Sequence, residues 1–108
     1  MRLASEIKDD PAAVVSAKLL DAPPHAFSRR GAVFPPDLTT VRAGKALIRV
    51  IVDETGHTRI PQVTAATDPA FGYAGVQAAQ YWRFDPPMSH GKPVKTMVEI
   101  PFTFAAGG

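Results

Sequence analysis

From Lys45 to Asp53 apolar and polar positions alternate, with Ala46, Ile48, Val50 and Val52 on one side and Leu47, Arg49, Ile51 and Asp53 on the other. That period predicts a strand with one wholly apolar face. Asp53, Glu54, Thr55 and Gly56 supply turn chemistry, Gly56 being free to take positive φ, and residues Thr58 to Ala66 return as a second strand to complete a hairpin. Asp68 is an N-cap acceptor, and Pro69 suits a first helical position where its missing N–H costs nothing. Phe71, Ala74, Gly75, Ala78, Ala79 and Trp82 then recur at helical spacing and predict a buried stripe, its small residues allowing close approach to a sheet. Pro86 and Pro87 bar continuation of the helix. In the last stretch Val94, Thr96, Val98, Ile100, Phe102 and Phe104 alternate with Lys95, Met97, Glu99, Pro101 and Thr103, again giving one face for a core. A proline cannot donate to a neighbouring strand, so Pro101 places this strand on an edge of the sheet.

Ahead of these elements the pattern is weaker. Asp10 and Pro11 make a helix start, while residues Val14 to Leu20 suit a helix or an extended arm. Pro23 and Pro24 stop any regular element, and the stretch through His25 and Arg30 reads as a linker. Phe34, Pro35 and Pro36 form an extended lead-in to a short helix over Asp37 to Ala43, which Gly44 ends as a C-cap. The expected division is an arm or linker, part helical, over residues 1–30 and a domain over residues 31–108.

A chain of 108 residues suits one compact domain. With 45% hydrophobic and 20% charged residues it falls with globular proteins and away from disordered ones. The net charge is +2, but Arg29, Arg30, Arg42, Arg49, Arg59 and Arg83 are dispersed, which argues against a nucleic-acid surface. Without cysteine there is neither a disulfide framework nor a thiolate metal site. Apolar stretches such as Ala12 to Ala17 and Ala46 to Val52 fall well below the roughly 20 residues that span a bilayer, and no apolar export segment follows Met1 and Arg2.

Groups that could carry chemistry are scattered along the chain. His25, His57 and His90 lie far apart, none with a ligand partner at i, i+4 spacing, and read as loop residues. Ser89 and His90 adjoin, but Gly91 and Pro93 mark them as a turn before the last strand and no nucleophile elbow surrounds them. Asp53 and Glu54 point to opposite faces of an extended chain and cannot flank one bond. Gly72 and Gly75 read as helix-packing positions, not a phosphate cradle. In the run Trp82, Arg83, Phe84 the tryptophan is expected in the core and the arginine near carbonyls at the negative helix end. No catalytic, metal or cofactor residue is assigned, and an enzyme is not expected.

The ordered set of motifs resembles the TonB C-terminal family. Phe34 and Pro35 match an aromatic-proline lead-in; Val52, Asp53 and Gly56 match a Val-x-Asp-x-x-Gly hairpin; Asp68, Pro69 and Phe71 match the helix start. Trp82, Arg83, Phe84 and Pro86 match Trp-Arg-Phe-x-Pro, Gly91 to Val94 match Gly-Lys-Pro-Val, and Val98 to Phe104 match the closing strand. The family usually has tyrosine where Phe34 stands, and often a second glycine where this chain has Lys45 and Ala46. The resemblance implies an α+β fold, a three-stranded antiparallel sheet with the helix across one face, the strand of residues 94–104 lying beside that of residues 45–53. It also implies a periplasmic peptide-binding domain of an energy transducer, anchored to the inner membrane and meeting its motor proteins through parts outside this chain. Its partner would be the N-terminal TonB-box peptide of an outer-membrane transporter for iron chelates or similar nutrients, with Phe34 and Pro35 as a receptor-facing lead-in. The added peptide strand would use the outward backbone groups of Lys95, Met97, Glu99 and Thr103, which share the direction of Pro101. The alternative is an adaptor or regulator of the same fold that carries no force, and an exposed final strand would also allow a strand-mediated homodimer.

Overall fold

A computed structural model describes residues 14–36, 38 and 42–105. Its elements in chain order are β1 (Val14–Val15), a 3-10 turn (Ala17–Leu19), β2 (Ala26–Ser28), β3 (Ala43–Val52), β4 (Thr58–Ala66), helix α1 (Pro69–Ala79), β5 (Arg83–Phe84), β6 (Met88–Ser89), β7 (Lys92–Pro93) and β8 (Lys95–Ala105). The fold is α+β, with α1 laid across one face of a sheet ordered β1-β8-β3-β4. This sheet has four strands, not the three expected, because β1 joins the outer side of β8 in parallel, Val14 opposite Lys95 and Val15 opposite Thr96. Val14 and Val15 are therefore extended, and of the stretch that suits a helix only Ala17–Leu19 is helical, as one 3-10 turn. Ser16 starts that turn by accepting the Lys18 N–H on its hydroxyl at 3.3 Å. The short helix expected over Asp37 to Ala43 falls mostly outside the described residues, and Ala43 itself opens β3.

β3 and β8 pair antiparallel in unbroken register from Ala43 opposite Ala105 to Val52 opposite Thr96. On the face turned to α1, Ala46, Ile48, Val50 and Val52 meet Ile100, Phe102 and Phe104, all buried. The helix contributes Phe71, Gly75, Ala78 and Ala79. Phe71 stacks on Phe104 with ring centroids 4.5 Å apart and receives the edge of Phe34 at 5.5 Å. Gly75 sits where a Cβ would lie 2.8 Å from Ile48 Cγ1, so the small residue is what lets the helix reach the sheet. As expected, the Asp68 carboxylate caps the helix, accepting the Ala70 N–H at 2.9 Å, with Pro69 in the first turn.

The helix stops sooner than its stripe suggests. Tyr81 and Trp82 donate to the Ala78 and Ala79 carbonyls at 3.1 Å each, a tightened last turn, and the chain then extends into β5. Trp82 packs against the core from beyond the helix, edge-on to Phe102 at 5.8 Å, and its Nε1–H donates to the Arg30 carbonyl at 2.8 Å. Arg83 Nη1 donates to the Trp82 carbonyl at 3.2 Å. β5 pairs with β2, which carries Ala26 into the core, so the stretch that reads as a linker also supplies structure. Gly56, with φ of 87°, lies against the Phe84 carbonyl oxygen, leaving no space for a Cβ, while its own carbonyl accepts the Phe84 N–H at 2.9 Å.

The hairpin between β3 and β4 is held by Asp53. Its Oδ1 accepts Thr55 Oγ1–H at 2.6 Å and the N–H groups of Thr55 and His57 at 2.9 and 3.0 Å. Partial burial pushes this carboxyl up, but the Thr55 hydroxyl, the two amides and the His57 charge outweigh it, and its pKa falls below the usual carboxylate value. A carboxyl lowered in the folded state stabilises above its unfolded pKa of about 3.9 and loses that contribution as pH falls through the lower folded value. Urea unfolding at pH 7 and pH 2.5 should show a smaller acid loss in Asp53→Asn, which keeps an acceptor but cannot titrate; equal losses would place the acid sensitivity elsewhere.

Candidate functional site: the free edge of the sheet

Hydrogen bonds of β3 alternate between its two neighbours. The Asp53 N–H donates to the His57 carbonyl at 2.9 Å and the Lys45 carbonyl accepts from the Thr67 N–H at 3.0 Å, so odd-numbered residues of β3 bond towards the β4 side and even-numbered ones towards β8. Through the pairs Ala46 with Phe102, Ile48 with Ile100, Val50 with Val98 and Val52 with Thr96, the even-numbered residues of β8 are the ones bonded to β3. The main-chain groups of Lys95, Met97, Glu99, Pro101 and Thr103 therefore point away from β3. Pro101 brings only a carbonyl, which is why it fits a strand otherwise fully paired on its inner side.

Beyond Thr96 this outward row meets no strand among the described residues. Met97 is 39% exposed, and Glu99 and Thr103 are also exposed. Glu99 Oε2 lies 3.7 Å from Arg49 Nη2 on the open face, a solvated pair of small energetic weight. Lys95 is different. It is only 5% exposed, its Nζ lies 3.6 Å from Glu54 Oε1, and β1 is paired beside it. Phe34 turns its ring onto Phe71, while Pro35 lines an apolar recess of about 550 Å³ beside the outer face of α1, where Arg30 lies over the Tyr81 ring at 4.7 Å.

The opposite edge, on β4, is irregular. Two extra residues shift its register against β3, between Leu47 and Ile48 and between Arg49 and Ile51. At the second shift Ile60 takes a φ of 51° and Pro61 follows it. Bulges and prolines are devices that blunt an edge against strand addition. Of the two long strands that could bound the sheet, β8 alone offers a regular ladder.

Titratable groups do not converge. Among the described residues no three of His, Asp and Glu gather to hold a metal. His25 Nδ1 meets the Asp85 carboxylate at 2.9 Å on the surface, both side chains 65% exposed. Ser89 and His90 belong to the tight hairpin of β6 and β7, with His90 and Gly91 at φ of 52° and 76°.

Residues 39–106 match the family described as the Gram-negative bacterial TonB protein C-terminal. The chain belongs to the TonB C-terminal family. Among curated proteins no match is found. TonB C-terminal domains are periplasmic parts of Gram-negative energy-transducing proteins, act as interaction domains without catalysis and engage outer-membrane transporters. Among the described residues no helix is long and apolar enough to cross a membrane.

Two features of this TonB domain's edge escape a reading of the sequence. Strand β1 is two valines without alternation, its partner some eighty residues away, and nothing local signals it. Asp21 fastens the same arm, accepting the N–H groups of His90 and Gly91 at 3.0 Å each and donating its own to the Met88 carbonyl at 2.8 Å. Pro61 did carry a signal: by the argument that puts Pro101 on one edge, a proline inside the second strand marks the other.

Proposed function

We propose that this domain binds the N-terminal TonB-box peptide of an outer-membrane transporter by taking it as an added strand on the outer side of β8, in support of energised nutrient uptake. The observation that supports it most is the unpaired, regular outward row of β8 beyond Thr96. Main-chain bonds at Met97, Glu99 and Thr103 hold the peptide, with Lys95 at the end of the row. Phe34 and Pro35 lie in the lead-in segment, which in this reading faces the receptor from the recess beside α1 that Pro35 lines. Each such bond contributes about 1 kcal/mol net, so holding is transient, yet a pull along the strand loads several bonds together. Inner-membrane motor proteins act through other parts of the transducer.

Titration of the isotope-labelled chain with synthetic N-terminal peptides of outer-membrane transporters from the source organism tests this by NMR. Amide shifts centred on Met97, Glu99 and Thr103 are expected. Shifts centred on the β4 edge, or none with any peptide, would overturn the reading.

A further inference from the structure

The row of outward groups on β8 is not wholly vacant, since Val14 and Val15 already pair with its first two residues. Their attachment is more than the two-residue ladder. Thr96, fully buried, turns its Oγ1–H to the Val15 carbonyl at 2.8 Å. Further along the arm, Ser89 Oγ donates to the Leu19 carbonyl at 3.0 Å, and Asp21 clasps the His90–Gly91 turn with both carboxylate oxygens. The Met88–Thr96 stretch that leads into β8 is thus the platform to which the arm is fastened.

The arm leaves the edge abruptly. β1 runs parallel to β8, so Ser16 would next stand opposite Met97, but Ser16 instead begins the 3-10 turn and takes the chain aside. A recess of about 460 Å³ opens there, between the arm and Arg49, Met97 and Glu99 on the open face. An incoming strand laid on Glu99 to Thr103 meets the arm as soon as its pairing is extended to Lys95. Two chains cannot hold the same row of N–H and C=O groups.

Resting on the edge reading above, we propose that β1 is a resident occupant of the partner edge, which a bound peptide strand displaces in order to pair along the whole of β8. Asp21 and Thr96 hold the occupant in place, and its release is the first step of full engagement. The arm thereby lowers the affinity of the edge for any strand and keeps its first residues from pairing with a second copy of the chain.

The test uses the 108-residue chain and two variants. Val15→Pro removes an N–H from the arm's ladder, and Asp21→Ala opens the clasp; neither alters β8. The probe is whichever transporter peptide binds most tightly in the titration. Losing one competing hydrogen bond should tighten binding about 5-fold, the equivalent of about 1 kcal/mol. In the native chain, hydrogen exchange at the Val15 amide should quicken when the peptide saturates the edge. Unchanged or weaker binding by both variants, or slower exchange at Val15 in the complex, would overturn the proposal while leaving the edge as the peptide site. Failure of every peptide to bind native chain and variants alike would overturn the edge reading, and this proposal with it.

Discussion

Phe71→Ala lowers the stability of the domain by about 3–5 kcal/mol, the expected cost of deleting a fully buried aromatic ring. The residue has no exposed surface, and its ring joins three parts of the chain: the lead-in through Phe34, the helix it stands on, and β8 through Phe104. Gly44 in β3 lies directly beneath it, with the ring where a Cβ would be, so the cavity left behind would be lined on one side by backbone that cannot collapse into it. A domain of this size is stable by about 5–15 kcal/mol in total, so the loss is a large part of the whole. Urea unfolding would show it as a lower midpoint at similar slope. Tyr73→Ala on the same helix is the control: Tyr73 is 68% exposed and should change stability by no more than about 0.5 kcal/mol. If the two variants behaved alike, α1 would not be packed through Phe71.

The strands and helix that frame this core are legible in the sequence because their periods are undisturbed. Ile48, Val50 and Val52 alternate with half-buried Leu47 and Arg49 and with Ile51, itself buried, and Ile100, Phe102 and Phe104 answer them across an unbroken register. Trp82 shows the limit of such reading. It continues the helical spacing of Phe71 and Ala78, yet the helix has ended at Ala79; its ring reaches the same core from the tightened turn beyond it, and spacing alone does not separate those cases. Lys95 shows another limit. Alternation puts it on the open face with Met97 and Glu99, yet it is buried, with β1 paired beside it and Glu54 Oε1 3.6 Å from its Nζ. The candidate site was legible in outline through Pro101, whose missing N–H implies an edge. What sequence does not encode locally is which distant segment visits that edge, since Val14 and Asp21 are ordinary residues until the fold brings Lys95 and His90 beside them.

Glu99→Pro should weaken peptide binding at least about 10-fold and leave the fold nearly unchanged. The alternation along β3 and β8 turns the Glu99 N–H outward, as it does at Pro101, so proline there removes no main-chain bond to β3, and the ion pair it loses with Arg49 is a solvated one of small weight. It does remove one donor from the ladder offered to an incoming strand, about 1 kcal/mol, and sets a ring where that strand's backbone must approach, which supplies the rest of the loss. With Pro101 already silent as a donor, Met97 and Thr103 would be left as separated donors on the stretch beyond Thr96. Ile100→Pro is the opposite case. Its N–H faces β3 opposite Ile48 and the residue is buried, so the same substitution one position along should cost about 3 kcal/mol or more of stability. Comparing the two by urea unfolding and by peptide titration separates holding the sheet together from extending it. A folded Glu99→Pro chain that binds peptide as tightly as the native one would move the binding site off β8, whereas one that unfolds like Ile100→Pro would reverse the assignment of inward and outward residues on which the edge depends.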